Sequence, residues 1–183
     1  IVNRDVFEHM PPDGYLTECA PQAGALAASL VKALSAGVIL LIDYGFRRAE
    51  FYHPSRSTGT LMCHYRHYAH VDPFLYPGLQ DITAHVDFTA IAEAALGVRV
   101  DALSTTGAEL IGYTTQANFL LGAGITNVIG QHDPNQTVSY LALTNQAQRL
   151  LSPAEMGEFF KVIGFSKGQH TISALANARQ LPL

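Results

Sequence analysis

VILLIDYG, at residues 38–45, determines the fold class of this chain. Five consecutive apolar residues, Val38 to Ile42, are followed at once by an acid, an aromatic residue and a glycine. Such a run is typical of a strand that is buried on both faces, as in a parallel sheet covered by helices. A helix is predicted before it, from Ala23 to Ser35, so the order of helix, buried strand and polar loop predicts an α/β domain.

The other predicted helices are marked by apolar periodicity and by capping residues. On the first helix, we expect Leu26, Leu30, Val31 and Leu34 to share the buried face. Two short helices are predicted: Phe88 to about Leu96, capped by Asp87 and stopped by Gly97, and Gln116 to Leu121, capped by Thr114 or Thr115 and stopped by Gly122. A longer helix is predicted from Thr137 to Leu151, with Val138, Leu141 and Leu150 inward. The last begins at Ser152 as N-cap, with Pro153 in its first position and Glu155 closing a capping box, and it would bury Met156, Phe159 and Phe160.

Short strands are predicted at Thr60–Tyr65 and Glu109–Tyr113, with a terminal hairpin of Val162–Phe165 and His170–Ser173. Between Phe46 and Asp81 the sequence has no clear period and is rich in His, Tyr, Arg and Pro. Because loops of this length are uncommon in compact domains and usually functional, we expect a site there.

Composition restricts the class of protein. A hydrophobic fraction of 48%, a charged fraction of 14% and a formal charge of −4 describe a core-forming globular chain. No basic block is present, which weighs against a nucleic-acid or membrane-surface partner. The apolar runs are far shorter than the roughly 20 residues that a membrane span needs. The two cysteines fit a reducing compartment, so we expect a cytoplasmic protein.

Asp43 and Tyr44 stand where the buried strand ends. In open α/β sheets, ligands bind outside the carboxyl ends of the strands. The two side chains are therefore candidates for substrate binding, and Gly45 would let a ligand or loop approach the backbone. The alternative is that Asp43 only caps a turn.

Histidines are concentrated between residues 53 and 85, at positions 53, 64, 67, 70 and 85. A buried imidazole needs partners for both nitrogens, so such a cluster favours the lining of a site over core filling. His64, Arg66 and His67 are candidate substrate-binding residues, with Arg66 able to hold a carboxylate. A zinc signal is weak because no CxxC or HExxH pattern accompanies the histidines, and we predict no metal.

QDITAHVD, at residues 80–87, alternates polar and apolar side chains. An extended segment would send Asp81, Thr83, His85 and Asp87 to one side. A histidine between carboxylates is suited to general-base chemistry, so His85 and Asp81 are the candidate catalytic residues. Asp87 is a candidate substrate contact, with helix capping as the alternative.

Gln116, after the predicted strand at Glu109–Tyr113, is a further candidate substrate-binding residue. Helix capping is an equally simple role for the threonines before it. Gly122 and Gly124 follow an apolar helix, so they do not form a nucleotide-binding glycine motif. A GxSxG nucleophile motif is absent from the sequence, which weighs against a hydrolase.

Several segments carry a specific resemblance. LLIDYGF (Leu40–Phe46), GTLMCHYRH (Gly59–His67), DPFLYPGLQDITAHVDFTAIAEAA (Asp72–Ala95), GYTTQANFLL (Gly112–Leu121) and RLLSPAEMGEFFKVI (Arg149–Ile163) closely resemble the MidA family of S-adenosylmethionine-dependent methyltransferases. The residues of these segments resemble bacterial members rather than mitochondrial ones. The mitochondrial member of the family is a protein-arginine methyltransferase that assists respiratory complex I assembly.

The resemblance implies a class I Rossmann-like methyltransferase fold, with a mixed, mostly parallel sheet flanked by helices. It implies that residues 1–183 are the carboxyl-terminal portion of one methyltransferase domain, whose amino-terminal half holds S-adenosyl-L-methionine. On that template, Val38–Ile42 would be the fifth strand. The sixth would lie near Glu109–Tyr113 and the seventh in the carboxyl-terminal region. The residues that hold the cofactor are unknown, because the glycine-rich motif belongs to the other half.

Two functions follow as hypotheses. The chain supplies the substrate side of a methyltransferase that acts on a protein arginine, or it is a non-enzymatic docking or assembly module that uses its His/Tyr/Arg-rich loop. A homodimer is a further expectation, since an isolated half would leave a sheet edge unpaired. In both cases we expect the imidazoles and carboxylates between residues 43 and 87 to line one crevice.

Overall fold

The computed structural model describes residues 13–97, 106–176 and 178. The strands are β1 (Gly37–Phe46), β2 (Met62–Tyr65), β3 (Tyr68–His70), β4 (Asp81–Thr83), β5 (Val86–Asp87), β6 (Ala108–Thr115) and β7 (Phe160–Lys167). The helices are α1 (Pro21–Ala33), α2 (Arg48–Phe51), α3 (Phe88–Leu96), α4 (Gln116–Gly122), α5 (Ile125–Gly130), α6 (Thr137–Leu151) and α7 (Met156–Phe159), with 3-10 turns at Pro54–Arg56 and Ser173–Leu175.

A mixed sheet in the order β5-β1-β7-β6 forms the centre of the fold. β7 is antiparallel to both β1 and β6, whereas the short β5 is parallel to β1. β1 extends beyond the predicted Val38–Ile42 because its pairing with β7 continues from Gly37 to Tyr44. The mixed sheet with flanking helices agrees with the predicted architecture, and the long pairings within this part of it are antiparallel.

Helices α1 and α3 cover one face of this sheet. Ile163, Phe165 and Tyr113 point into that layer, and α1 and α3 contribute Ala27, Val31, Phe88, Ile91, Ala92 and Ala95 to the same core. The two helices approach closely, since a Cβ at Gly24 would lie 3.2 Å from the Cβ of Ala94. Burial of this apolar layer is the main source of stability, because apolar burial contributes on the order of 25 cal/mol per Å².

The prediction for the buried face of α1 is wrong for two leucines. Leu26 is 61% exposed and Leu30 is 38% exposed, whereas Val31 is fully buried. The reason is the close packing of α1 on α3, which selects the small residues Gly24 and Ala27 for the contact. Size rather than hydrophobicity decides which side of this helix faces α3.

The predicted terminal hairpin is also wrong. Phe160–Lys167 is one strand in the middle of the sheet, and Ser173–Leu175 is a 3-10 turn. Leu175 is buried against the sheet face opposite α1, where Gly112 and Gly164 leave room for it. The pairing partners of β7 are distant in sequence, so the local hairpin pattern did not reveal them.

α6 has the predicted bounds, Thr137–Leu151. Its inward face differs from the prediction, because Val138 is 86% exposed and Leu141 is 54% exposed. Ala147 is the buried residue of this helix, on the side that packs against α4 and α7.

The predicted capping box at Ser152 does not form. The Ser152 carbonyl accepts hydrogen bonds from the backbone N–H groups of Glu155 and Gly157, and α7 begins only at Met156. Phe159, predicted to be buried, is 51% exposed. A tight turn replaces the helix start because Gly157 lies directly against the Leu151 carbonyl.

A second, three-stranded sheet in the order β3-β2-β4 is built from the His/Tyr/Arg-rich loop. Its central strand, β2, covers the last four residues of the predicted strand Thr60–Tyr65. Loop and strand thus alternate in a segment that has no clear sequence period.

Among the helices in the described ranges, none combines the length and apolar character needed to cross a membrane.

Candidate functional site

The candidate site lies at the carboxyl end of β1. Gly45 and Phe46 pair there with Val86 and Asp87 of β5, which brings the chain after β4 back to the end of β1. A Cβ at Gly45 would lie 2.2 Å from the Val86 carbonyl oxygen, so only glycine allows this approach. The sequence predicted this freedom at Gly45, and the backbone that approaches it is that of β5. His85, immediately before β5, is therefore fixed beside the aromatic end of β1.

The ring of His85 packs among aromatic side chains. Its centroid is 5.4 Å from that of Tyr44 and 4.9 Å from that of Phe46. Tyr44 also contacts Phe160 edge-on at 5.5 Å, and the Arg56 guanidinium lies 3.8 Å over the Phe46 ring. We call these five residues the His85 cluster.

The His85 cluster favours a neutral imidazole. Burial of the ring and the positive charge of Arg56 lower its pKa, while the carboxylates of Glu18 and Asp43 act in the opposite direction. Nδ1 of His85 is buried and has no hydrogen-bond partner within the described part of the chain. A neutral imidazole has one unprotonated nitrogen that can accept a proton, which is the property of a general base.

Asp43 lies on the same strand, beside this cluster. Its carboxylate is exposed and accepts a hydrogen bond from the backbone N–H of Tyr44 at 2.8 Å. Across the sheet, Asp43 pairs in register with Lys161, and Lys161 pairs with Thr115. This bond is to the adjacent residue within β1, so Asp43 does not cap a turn, and its negative charge remains available at the strand end.

Asp87 has a structural role. Its Oδ1 accepts hydrogen bonds from the N–H groups of Thr89 and Ala90, which caps α3 as predicted. Its Oδ2 lies 3.5 Å from the guanidinium of Arg48, which also binds Glu93 through two hydrogen bonds. Both carboxylate oxygens are engaged, so the geometry favours the capping alternative over substrate contact.

We expect Asp87→Ala to lower the free energy of unfolding by about 1 kcal/mol, through loss of the cap. Burial raises the pKa of Asp87 despite these donors, so the charge itself adds little stability. Asp87→Asn keeps an acceptor for the helix and should therefore lose less than half as much. Urea denaturation of both variants provides the measurement. An Asn variant with native stability but strongly reduced turnover would instead support substrate contact.

A second group of predicted residues lies on the three-stranded sheet. His64 and Asp81 are both exposed and pair in register between β2 and β4. Arg66 and His67 are exposed in the β2–β3 turn, with φ of 47° and 68°. Positive φ at both residues of a two-residue loop is the pattern of a type I′ hairpin turn, although it is uncommon for residues other than glycine, asparagine and aspartate.

The expectation of one shared crevice stays a prediction for this second group. His64, Arg66, His67 and Asp81 belong to a different sheet from Tyr44. The run from Asp81 to Asp87 is not one strand, because Ala84 and His85 separate β4 from β5. Asp81 and His85 therefore do not share one side of a single strand. Their catalytic and binding roles remain predictions.

Gln116 begins α4 directly after β6. It is buried, and its Nε2 donates a hydrogen bond to the Leu150 carbonyl at 3.0 Å, which links α4 to α6. Thr115 caps α4 by accepting from the N–H of Asn118, as predicted. This bond gives the Gln116 amide a structural partner.

Sequence reasoning did not select Phe46, Arg56 or Phe160 as site residues. Phe46 follows Tyr44 by two positions in a strand, so the period of two placed it on the same face. Arg56 and Phe160 reach the cluster through tertiary structure, which no local pattern reports. Within 13–97, 106–176 and 178, no group of three or more His, Cys, Asp or Glu side chains is arranged to hold a metal ion.

Comparison with known proteins identifies the family. A family described as "putative S-adenosyl-L-methionine-dependent methyltransferase" matches residues 2–105, more than half of the chain. The protein arginine methyltransferase NDUFAF7, mitochondrial, of Danio rerio is 29% identical over an alignment of 159 residues, and the match covers 82% of this chain and 33% of that protein. The homolog from Caenorhabditis elegans is 34% identical over 73 residues, which are 39% of this chain and 16% of that protein.

Two crystal structures of COG1565 superfamily proteins from Burkholderia thailandensis share this fold, each with a TM-score of 0.86 and 49% identity over 93% of the chain. One of them is bound to S-adenosyl-homocysteine. The chain spans 42% and 44% of these two structures and about a third of the Danio rerio relative. The predicted methyltransferase fold class and the resemblance are confirmed, and the chain belongs to the MidA-like family of S-adenosyl-L-methionine-dependent methyltransferases.

Proposed function

We propose that the complete natural polypeptide containing this sequence, here called the parent polypeptide, transfers a methyl group from S-adenosyl-L-methionine to an arginine of a protein. This chain would supply the acceptor side of the methyltransferase domain. The observation that carries the proposal is His85, with its buried free Nδ1, at the carboxyl end of β1 between Tyr44 and Phe46.

An arginine acceptor is supported by the name of the Danio rerio relative and by the chemistry of the His85 cluster. Aromatic ring faces attract cations, and the Phe46 face already accommodates the guanidinium of Arg56 at 3.8 Å. Tyr44 presents a second ring at the same strand end. The exposed carboxylate of Asp43 is suited to a cationic acceptor, since opposite charges attract across the strand end.

His85 would take the proton that the acceptor nitrogen loses. S-adenosyl-L-methionine supplies the methyl group; this chain's residues orient the acceptor and accept its proton. Since the lowered pKa of His85 keeps the imidazole neutral near pH 7, the ring has the protonation state that this role requires. Asp81 lies on the other sheet, so it would take part in catalysis only if the protein that is methylated extends across both sheets.

We propose that the main cradle for the cofactor is not formed by the described residues. Such a cradle needs a glycine-rich turn between a strand and a helix. The close backbone approach at Gly45 is filled by Val86, and Gly124 joins α4 to α5 rather than a strand to a helix. We therefore place the main cofactor contacts outside this chain's described residues.

We expect S-adenosylhomocysteine to bind the parent polypeptide and to bind this chain at least about a hundredfold more weakly, because most of the contacts are missing. Isothermal titration calorimetry of both proteins provides the measurement, with adenosine as the control ligand. Equal affinity of the two proteins would place the cofactor site within this chain and contradict the assignment of the two halves.

The acceptor is tested by incubating the parent polypeptide with S-adenosyl-L-methionine labelled in its methyl group and an extract of cells that lack the enzyme. Hydrolysis of the protein fraction should release labelled methylarginine. Label that appears in another amino acid would support methyl transfer to protein and refute arginine as the acceptor. Label confined to small molecules or lipid would refute a protein acceptor.

A docking module is the second candidate function. Residues 68–82 expose several large apolar side chains, among them Phe74 at 85%, Val71 at 71% and Leu79 at 68%. Exposed aromatic and apolar residues in one segment are typical of protein contacts. A parent polypeptide that fails to bind S-adenosylhomocysteine would favour this function.

We also propose a cytoplasmic location, since both cysteines, Cys19 and Cys63, are free.

A further inference from the structure

The segment before α1 is bonded to the loop that precedes β2. The Leu16 N–H donates a hydrogen bond to the Ser57 carbonyl at 2.8 Å, and Leu16 forms a parallel bridge with Thr58. Two segments about 40 residues apart in sequence are thereby held side by side. This contact brings Glu18 to the start of the GTL sequence at Gly59–Leu61.

The carboxylate of Glu18 organises that loop. Its Oε1 accepts hydrogen bonds from the N–H groups of Thr60 and Leu61, both at 2.6 Å. Its Oε2 accepts from the Thr60 hydroxyl at 3.2 Å. Gly59 has φ of +75°, and a Cβ there would lie 2.4 Å from Oε1, so the loop closes tightly around the carboxylate. Charge-assisted bonds of this length are strong, so the loop is firmly held.

Thr60 connects this carboxylate to His85. The His85 backbone N–H donates to the Thr60 hydroxyl oxygen at 3.0 Å. A hydroxyl has one hydrogen to donate and lone pairs to accept with. Because Glu18 takes the hydrogen of Thr60, the lone pairs of Thr60 are directed to the His85 N–H. The chain of bonds therefore runs from Glu18 through Thr60 to the backbone of His85.

We propose that Glu18 is a positioning residue, which acts through Thr60 to hold His85 against Tyr44 and Phe46 in the orientation needed for proton transfer. The inference rests on the base role that the proposed function gives His85. Glu18 is not a catalytic residue in this account, since its three hydrogen bonds go to the loop.

Because charged groups surround His85, the pKa of its ring reports whether Glu18 lies close to it. The charged groups that act on its ring are Arg56, Glu18 and Asp43, with the rings of Tyr44 and Phe46 packed against it. The negative charge of Glu18 favours the protonated imidazole. Removal of that charge should therefore lower the pKa of His85 further, while the positive charge of Arg56 remains.

The test uses NMR on the parent polypeptide. The titration of the His85 ring, assigned by comparison with His85→Gln, and the hydrogen exchange of the His85 amide are followed in four variants. Glu18→Gln removes the charge but keeps an acceptor, and Thr60→Val removes the hydroxyl. Thr60→Ser keeps that hydroxyl. Glu109→Gln, an equal charge change at an exposed site on the far end of β6, is the matched control.

We expect Glu18→Gln to lower the titration midpoint of His85 and Glu109→Gln to leave it unchanged. Thr60→Val should speed exchange of the His85 amide about tenfold or more through loss of its acceptor, and Thr60→Ser should restore the native rate. An unchanged midpoint in Glu18→Gln together with native exchange in Thr60→Val would overturn the proposal.

Turnover of the parent polypeptide separates this inference from the proposed function. Thr60→Val should lower kcat about tenfold with little change in KM, because misorientation of a base slows the chemical step. If the NMR changes occur as expected and kcat is native, the positioning of His85 stands and its role as base fails.

Discussion

Replacement of His85 by glutamine in the parent polypeptide is expected to lower kcat by about 10²- to 10³-fold, the usual loss when a general base is removed. Glutamine keeps a polar, half-buried side chain between Tyr44 and Phe46, so the melting temperature should change little. Turnover of labelled S-adenosyl-L-methionine and thermal unfolding together provide the measurement. His170→Gln, at an exposed site after β7, is the matched control and should behave as wild type.

The pH profile of the parent polypeptide, compared with that of His85→Gln, provides a second readout. The base must be neutral to accept a proton, so kcat/KM should rise with pH through the pKa of His85 and then level off. Burial and Arg56 lower that pKa from its ordinary value of 6.5, so the midpoint of the rise should lie below pH 6.5. His85→Gln should remove this limb of the profile. Parallel losses of melting temperature and activity in His85→Gln would instead assign the residue a purely structural role.

Gly45→Ala is expected to lower the free energy of unfolding by about 3 kcal/mol, the upper range for forcing extra atoms into a packed site. The new Cβ would lie 2.2 Å from the oxygen and 2.7 Å from the nitrogen of Val86. These are backbone atoms, which cannot rotate away, so the pairing of β1 with β5 would have to open. Urea denaturation of this chain provides the measurement.

Gly130→Ala is the matched control for this change. Nothing lies within 4 Å of a Cβ at Gly130, and the residue is helical. Alanine has the higher helix propensity, so this variant should be neutral or up to about 1 kcal/mol more stable. A Gly45→Ala protein as stable as Gly130→Ala would show that the close approach of β5 to β1 is not needed for folding.

Local signals in the sequence were sufficient for several elements. The apolar run before Asp43 predicted β1, and Asp87 and Gly97 bounded α3 because an N-cap and a left-handed C-cap are encoded by single residues. The bounds of α6 were predicted from its periodicity. The position of β7 between β1 and β6 was not predictable in this way, since its partners lie more than 40 residues away in the chain.

The candidate site was predictable in part, for the same reason. Tyr44 and His85 were selected from the ends of local patterns, and the structure packs their rings together. The contacts of Glu18 with Thr60 and of Arg56 with Phe46 arise only when distant loops meet. The histidines of β2 and its turn were expected beside His85, but the loop forms a sheet of its own.

The most direct test is a crystal structure of the parent polypeptide with S-adenosylhomocysteine. We expect the sulfur of S-adenosylhomocysteine, the atom that carries the methyl group in S-adenosyl-L-methionine, to face the space in front of the His85, Tyr44 and Phe46 rings. A sulfur that faces another side of the sheet, with the His85 cluster closed off from it, would contradict the assignment of the carboxyl end of β1 as the site of methyl transfer.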